Sequence, residues 1–128
     1  MRTTLSIGGF DNSSGAGTSA DVRLSGCFDV HIYRVLTAIV VQNTKTVRKI
    51  YPMSCECIEQ QLDTVLDDIT PSAIRIGMLY NSEIVSLVSK KISGFRDICP
   101  IIVDPVMSST TGKKLVRDID NYILSLRK

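Results

Sequence analysis

Short apolar runs of strand length alternate along this chain with longer stretches of helical spacing, and no other feature limits its fold so tightly. A strand covered by helices on both faces reads as a near-continuous run of Val, Ile and Leu. The alternation therefore predicts an α/β architecture with a mostly parallel sheet. Thr3 to Gly8 reads as the first strand, and Ala16 to Cys27 as a helix with Ala20, Leu24 and Cys27 on one inward face. Val35 to Val41 is apolar except for Thr37, as a strand buried on both faces would be; Thr46 to Tyr51 suits a strand nearer an edge. Ser54 is placed to cap a helix carrying Cys57, Ile58, Gln61, Leu62, Val65 and Leu66. Ala73 to Gly77 is a short strand, and Ser82 caps a further helix that Gly94 stops. Pro100 to Val103 reads as another buried strand, ended by Asp104-Pro105. Val116 to Leu126 reads as a last helix with Ile119, Ile123 and Leu126 inward.

The alternation calls for a further strand after that helix, and none follows. Apolar surface and unpaired backbone beside Ile101, Ile102 and Val103 are therefore expected to stay accessible. Exposed sheet edges and large apolar patches recruit other chains, so a homo-oligomer or a complementary C-terminal half is the expected partner.

Composition sets outer bounds. A length of 128 residues suits one domain spanning 1–128. With 44% hydrophobic residues and a net charge of +2, the chain can bury a core and has no general affinity for polyanions, which argues against nucleic acid as a partner. No apolar run approaches the roughly 18 residues of a membrane span. The first residues lack the apolar region of a signal peptide, which predicts a cytoplasmic protein with reduced thiols. Cys27 and Cys99 then read as small core residues. Cys55 and Cys57 form a Cys-x-Cys with no second cysteine pair or histidine cluster to complete a zinc site.

Ligands of open α/β sheets bind beyond the carboxyl ends of the strands. Polar or glycine-rich segments fall at such ends: Gly8 to Gly17, Val41-Gln42-Asn43-Thr44, Gly77-Met78-Leu79 and Asp104-Pro105-Val106-Met107. A single one is an ordinary turn; their convergence on one rim predicts a binding site. Glycines let backbone approach a ligand closely, and the following helix start favours an anion. Gly15-Ala16-Gly17 nevertheless lacks the full dinucleotide fingerprint, and Thr111-Gly112-Lys113-Lys114 fails as a P-loop. Gln42 offers an acceptor and donors side by side, which suits an aminopyrimidine-like edge, although an amide at a strand end also serves to satisfy loop backbone. Met78 could cover a flat ring or simply pack in the core. Asp21 suits a helix start on dipole grounds alone. Asp104 could hold magnesium through water or neutralise a lysine. His31, the single histidine, beside Asp29 at a strand start, reads as a surface residue.

Taken together, Gly8-Gly9-Phe10-Asp11-Asn12-Ser13-Ser14-Gly15-Ala16-Gly17 through Ala20-Asp21, Gln42-Asn43-Thr44, Ile74-Arg75-Ile76-Gly77-Met78-Leu79 and Val103-Asp104-Pro105-Val106-Met107 resemble the hydroxymethylpyrimidine/phosphomethylpyrimidine kinases of thiamin biosynthesis. The resemblance is colinear from Leu5 to about Leu115. It implies a ribokinase-like three-layer α/β/α fold, ATP and magnesium (Mg2+) as the donor system, and a methylpyrimidine alcohol or its monophosphate as acceptor. It further implies substrate-binding roles for Gln42 at the pyrimidine edge, Asp21 near the hydroxymethyl group, Met78 against the ring and Gly9 in the first turn. Asp104 corresponds to the aspartate near the phosphates and the metal. The first turn departs from the family's Ser-Asp-Pro-Ser-Gly-Gly, and Ser19 stands where the family has Gln. Family members are roughly twice as long, and their C-terminal half carries the nucleotide pocket, the anion hole and the catalytic base. The resemblance thus covers the N-terminal, acceptor-side half of the fold, so kinase activity of the chain by itself is expected to be impaired. The rival expectations are a non-catalytic pyrimidine-binding or interaction module and a pyridoxal kinase-like enzyme.

Overall fold

The computed structural model describes residues 1–109, 112 and 114. Its centre is β1 (Arg2–Asp11), in a sheet completed by β2 (Val30–Gln42), β3 (Val47–Pro52), β4 (Ala73–Ile76) and β5 (Ile101–Val103). The strand order is β3-β2-β1-β4-β5. β1 runs parallel to β2 and to β4, and β4 parallel to β5; β3 alone is antiparallel, folding back on β2 at the edge. The connecting helices are α1 (Gly17–Ser25), α2 (Cys55–Asp68) and α3 (Ser82–Ile92), the last continuing into a 3-10 turn at Ser93–Phe95.

Successive side chains of a strand point to opposite faces. Leu5 and Ile7 accordingly enter a core with Val35, Ile74 and Ile76 of the sheet, Ile58 and Leu62 of α2, and Ile84, Val85 and Val88 of α3. Ser6, between them, points the other way and reaches Asp21 of α1. Helices thus lie on both faces, giving the three layers expected. The α2 cap is as the sequence predicts, with Ser54 Oγ accepting from Cys57 N at 3.1 Å.

Several expectations are corrected. The first strand runs on through Gly8 and Gly9 to Asp11, because β2 keeps pairing with it beyond a register shift at Gly8/Gly9. The α3 cap is Asn81 rather than Ser82; Asn81 Oδ1 accepts from Ile84 N at 2.9 Å. In α1 the buried residues are Thr18 and Ser19, where the helix crosses the glycines of β1. The Ser19 hydroxyl, in the position where the family resemblance has Gln, is buried without a hydrogen-bond partner among the described residues. Leu24 is 57% exposed and Phe28 71%, because this end of α1 overhangs a stretch of sheet that nothing else among the described residues covers. Cys27 is exposed there too, not core, whereas Cys99 is buried as expected. Ile102 of β5 is 59% exposed on the same face, so the strand is not covered on both faces by the described residues, and its apolar surface is accessible among them as expected. The helix expected over Val116 to Leu126 lies outside the described residues, and so do Thr111 and Lys113. No helix of the described residues is long and apolar enough to cross a membrane.

Candidate functional site

From β1 the chain crosses to β2 over one face through α1, and it later returns to β4, on the other side of β1, over the opposite face through α2. Such a reversal opens a crevice at the carboxyl ends of the strands. A cleft of about 250 Å3 lies there, and all the strand-end segments singled out in the sequence contribute to it. Gly9, Asp11, Ala16 and Gly17 come from the first, Gln42 from the second, Met78 from the third, and Asp104 with Val106 from the fourth. Asp21 lines the cleft from α1.

The first turn is organised by a carboxylate. Asp11 Oδ1 accepts from Ser13 N and Ser13 Oγ, each at 2.7 Å, and Oδ2 accepts from Gly15 N at 3.0 Å and Ala16 N at 2.9 Å. Burial alone would push this carboxyl up, but the bonds from Ser13 and Ala16 outweigh it and hold the pKa below the usual aspartate value. Left-handed backbone closes the turn at Ser14 (φ 60°) and Gly17 (φ 62°). A Cβ at Gly17 would stand 2.4 Å from Gly9 O, so only glycine lets the helix start this close to the strand. Gly9 itself packs beneath Met78: a Cβ there would meet Met78 Sδ at 3.3 Å.

Gln42 is pinned at its backbone, where its N–H donates to Asn12 Oδ1 at 2.8 Å. Met78 is 6% exposed and packs with Ala38, Val40 and Val47, so it both lines the cleft and belongs to a small core. Its carbonyl accepts from Thr37 Oγ1 at 2.7 Å; Thr37 is the residue of β2 skipped where the register shifts. Such a bulge re-aims the strand end that carries Gln42. His31 is exposed, with its ring edge-on to Tyr33, away from the cleft.

The sequence reading passed over Arg75. Its guanidinium lies between the two acids of the rim, with Nη1 3.3 Å from Asp21 Oδ2 and Nη2 3.1 Å from Asp104 Oδ2. Asp21 also accepts from Ser6 Oγ at 2.5 Å. A Cβ at Gly77 would come within 2.5 Å of Arg75 Nη1, so the glycine of Ile76-Gly77-Met78 makes room for the guanidinium. The signal was an arginine flanked by two isoleucines in a buried strand, which needs acid partners on its own face. Asp104 N donates to Ile76 O at 2.8 Å and so stays in line with β4. No cluster of three or more potential metal ligands exists among the described residues. The single carboxylate of Asp104 suits magnesium only in company with phosphate oxygens and water, which is how that ion is commonly held.

A sheet of this order, layered by helices on both faces and opening a cleft at its strand ends, defines the ribokinase-like class of α/β kinases. Solved members superpose closely. The phosphomethylpyrimidine kinase of Clostridium difficile 630 matches with a TM-score of 0.85 and 33% identity over 98% of this chain and 53% of that one. The pyridoxal kinase of Staphylococcus aureus in complex with AMP-PCP and pyridoxal matches with a TM-score of 0.74 and 33% identity over 87% of this chain and 41% of that one. Residues 11–126 match the model of the phosphomethylpyrimidine kinase family, and the chain belongs to that family. The hydroxymethylpyrimidine/phosphomethylpyrimidine kinase of Bacillus subtilis is 39% identical over 89% of this chain. The chain spans 42% of that relative's length.

Proposed function

We propose that this chain forms the acceptor side of an ATP-dependent, cytoplasmic kinase that phosphorylates 4-amino-5-hydroxymethyl-2-methylpyrimidine and its monophosphate. The observation that carries this reading is the meeting of Gly9, Gln42, Met78, Asp21 and Asp104 on one cleft of a family member. Gln42 is positioned to pair with the aminopyrimidine edge, and Met78 and Val40 supply apolar surface for the ring. Asp21, fixed by Ser6 and Arg75, is the acid for the hydroxymethyl group. ATP with magnesium supplies the phosphoryl group, and Asp104 is the residue here that would face them.

What these residues contribute is binding and orientation, the larger part of catalysis in phosphoryl transfer. Among the described residues we find no second glycine-rich turn able to stabilise charge on a transferring group. The relatives are more than twice as long as the matched stretch, and we assign the remaining machinery to the part of the family fold beyond it; residues 1–128 on their own are expected to turn over poorly or not at all. Pyridoxal is a second acceptor to test, given the likeness to the kinase solved with it.

The test is an NMR titration of the chain with the hydroxymethylpyrimidine. Saturable shifts at Gly9, Gln42 and Met78, without comparable shifts on the outer face of α2 and α3, are expected. No shifts, or shifts confined to that outer face, would contradict the assignment.

A further inference from the structure

Asp21 stands in α1, one turn beyond Gly17, and lines the cleft. Ser6 of β1 and Arg75 of β4 are register partners, each set between two buried isoleucine or leucine neighbours: Leu5 and Ile7 for Ser6, Ile74 and Ile76 for Arg75. Alternation along the strands therefore sends Ser6 and Arg75 together to the face that carries α1. Both donate to the same atom there. Ser6 Oγ lies 2.5 Å from Asp21 Oδ2, and Arg75 Nη1 lies 3.3 Å from it. The donors are themselves held: Ser6 is fully buried, and the second arm of the planar guanidinium, Nη2, donates to Asp104 Oδ2 at 3.1 Å. Oδ1 of Asp21 takes no hydrogen bond from the described residues. A carboxylate accepts through both oxygens, so with Oδ2 engaged by the sheet, Oδ1 is the one left for a ligand.

We infer that Ser6 and Arg75 are positioning residues that set the selectivity of the cleft for a hydroxymethyl group: by engaging Asp21 Oδ2 they aim Oδ1 at the acceptor hydroxyl. This rests on the reading of Asp21 proposed above. A hydroxyl in that place donates to the free oxygen. A methyl group there displaces water from Oδ1 and returns no donor, and an unmade bond of that kind is what lets a polar site reject the analogue. Without the two donors from the sheet, the carboxylate turns about its Cβ–Cγ bond and no longer holds one oxygen toward the ligand. The methyl compound gains nothing from the aim and loses nothing with it. The pair therefore governs discrimination between the two compounds, not affinity for the ring.

Calorimetry on the 128-residue chain tests this with 4-amino-5-hydroxymethyl-2-methylpyrimidine and its 5-methyl counterpart, which lacks only the hydroxyl oxygen. The wild-type chain is expected to favour the hydroxymethyl compound by about tenfold, the usual worth of a hydrogen bond to a charged group. Ser6→Ala and Arg75→Met should each bring the two affinities within about threefold, by weakening the hydroxymethyl compound alone. Ser19→Ala removes a buried α1 hydroxyl that has no partner among the described residues. It should keep the wild-type ratio, which separates aiming from general loosening of the helix. A wild-type ratio retained by a folded Ser6→Ala or Arg75→Met chain, or lost equally in Ser19→Ala, overturns the inference and leaves the assignment of Asp21 standing. A wild-type ratio near one overturns that assignment together with the inference, and binding of neither compound overturns the pyrimidine site as well. Should Arg75→Met not fold, Ser6→Ala decides alone, since it removes one oxygen from a fully buried side chain and adds no bulk.

Discussion

At the end of β1 the Asp11 carboxylate is 4% exposed and takes its hydrogen bonds from the turn that follows. Burial works against its charge, and the bonds from Ser13 and Ala16 more than restore it, so the folded pKa is lowered. A lowered folded pKa means stability that is fully present above the unfolded value and is lost as pH falls through the folded one. Denaturant titrations from neutral pH down to about pH 2 should therefore show a steeper acid loss in the wild type than in Asp11→Asn. The variant should start about 1–3 kcal/mol lower at neutral pH, the usual cost of removing hydrogen bonds to a charged group. Parallel pH curves would contradict this. The sequence displayed Asp11 as one polar residue in a glycine-rich turn, and its role depends on backbone N–H groups that no composition reveals. Arg75 was harder still to read: its pairing with Asp21 and Asp104 exists only because β4 lies between β1 and β5 in this register.

Among the elements, α1 departs most from its pattern. Leu24 and Cys27 fit helical spacing, yet the helix buries Thr18 and Ser19 instead, because the glycines of β1 let its first turn come close. Periodicity finds an apolar stripe; it cannot see that small residues on the strand draw the opposite side inward. The longer helices α2 and α3 were legible because their apolar stripes meet a continuous sheet face. Gly17 sets the approach of α1. Gly17→Ala should lose upwards of about 2 kcal/mol, from left-handed backbone and the contact with Gly9 O combined. Gly26→Ala is the control, since a Cβ there meets nothing within 4 Å and the backbone is right-handed at φ −63°. Urea unfolding of both variants checks this, and equal midpoints would mean that α1 can shift off the strand without loss.

For the molecule as a whole, the apolar face that the described residues leave open beside Leu24, Phe28 and Ile102, with β5 last in their sheet, sets the expected behaviour. Such surface favours association. Light scattering at micromolar concentration should show dimers or larger species, and a sharp monomer near 14.1 kDa would contradict that. The central claim is narrower: the cleft at the strand ends is the pyrimidine-acceptor site, with Gln42 as its reader. Calorimetry of the hydroxymethylpyrimidine on wild-type and Gln42→Ala chains tests it most directly. The account predicts saturable one-to-one binding by the wild type, weakened in the variant by about 1–3 kcal/mol, the cost of leaving the ligand's polar edge unpaired. Equal binding by the two chains, or none by a folded wild type, would contradict it.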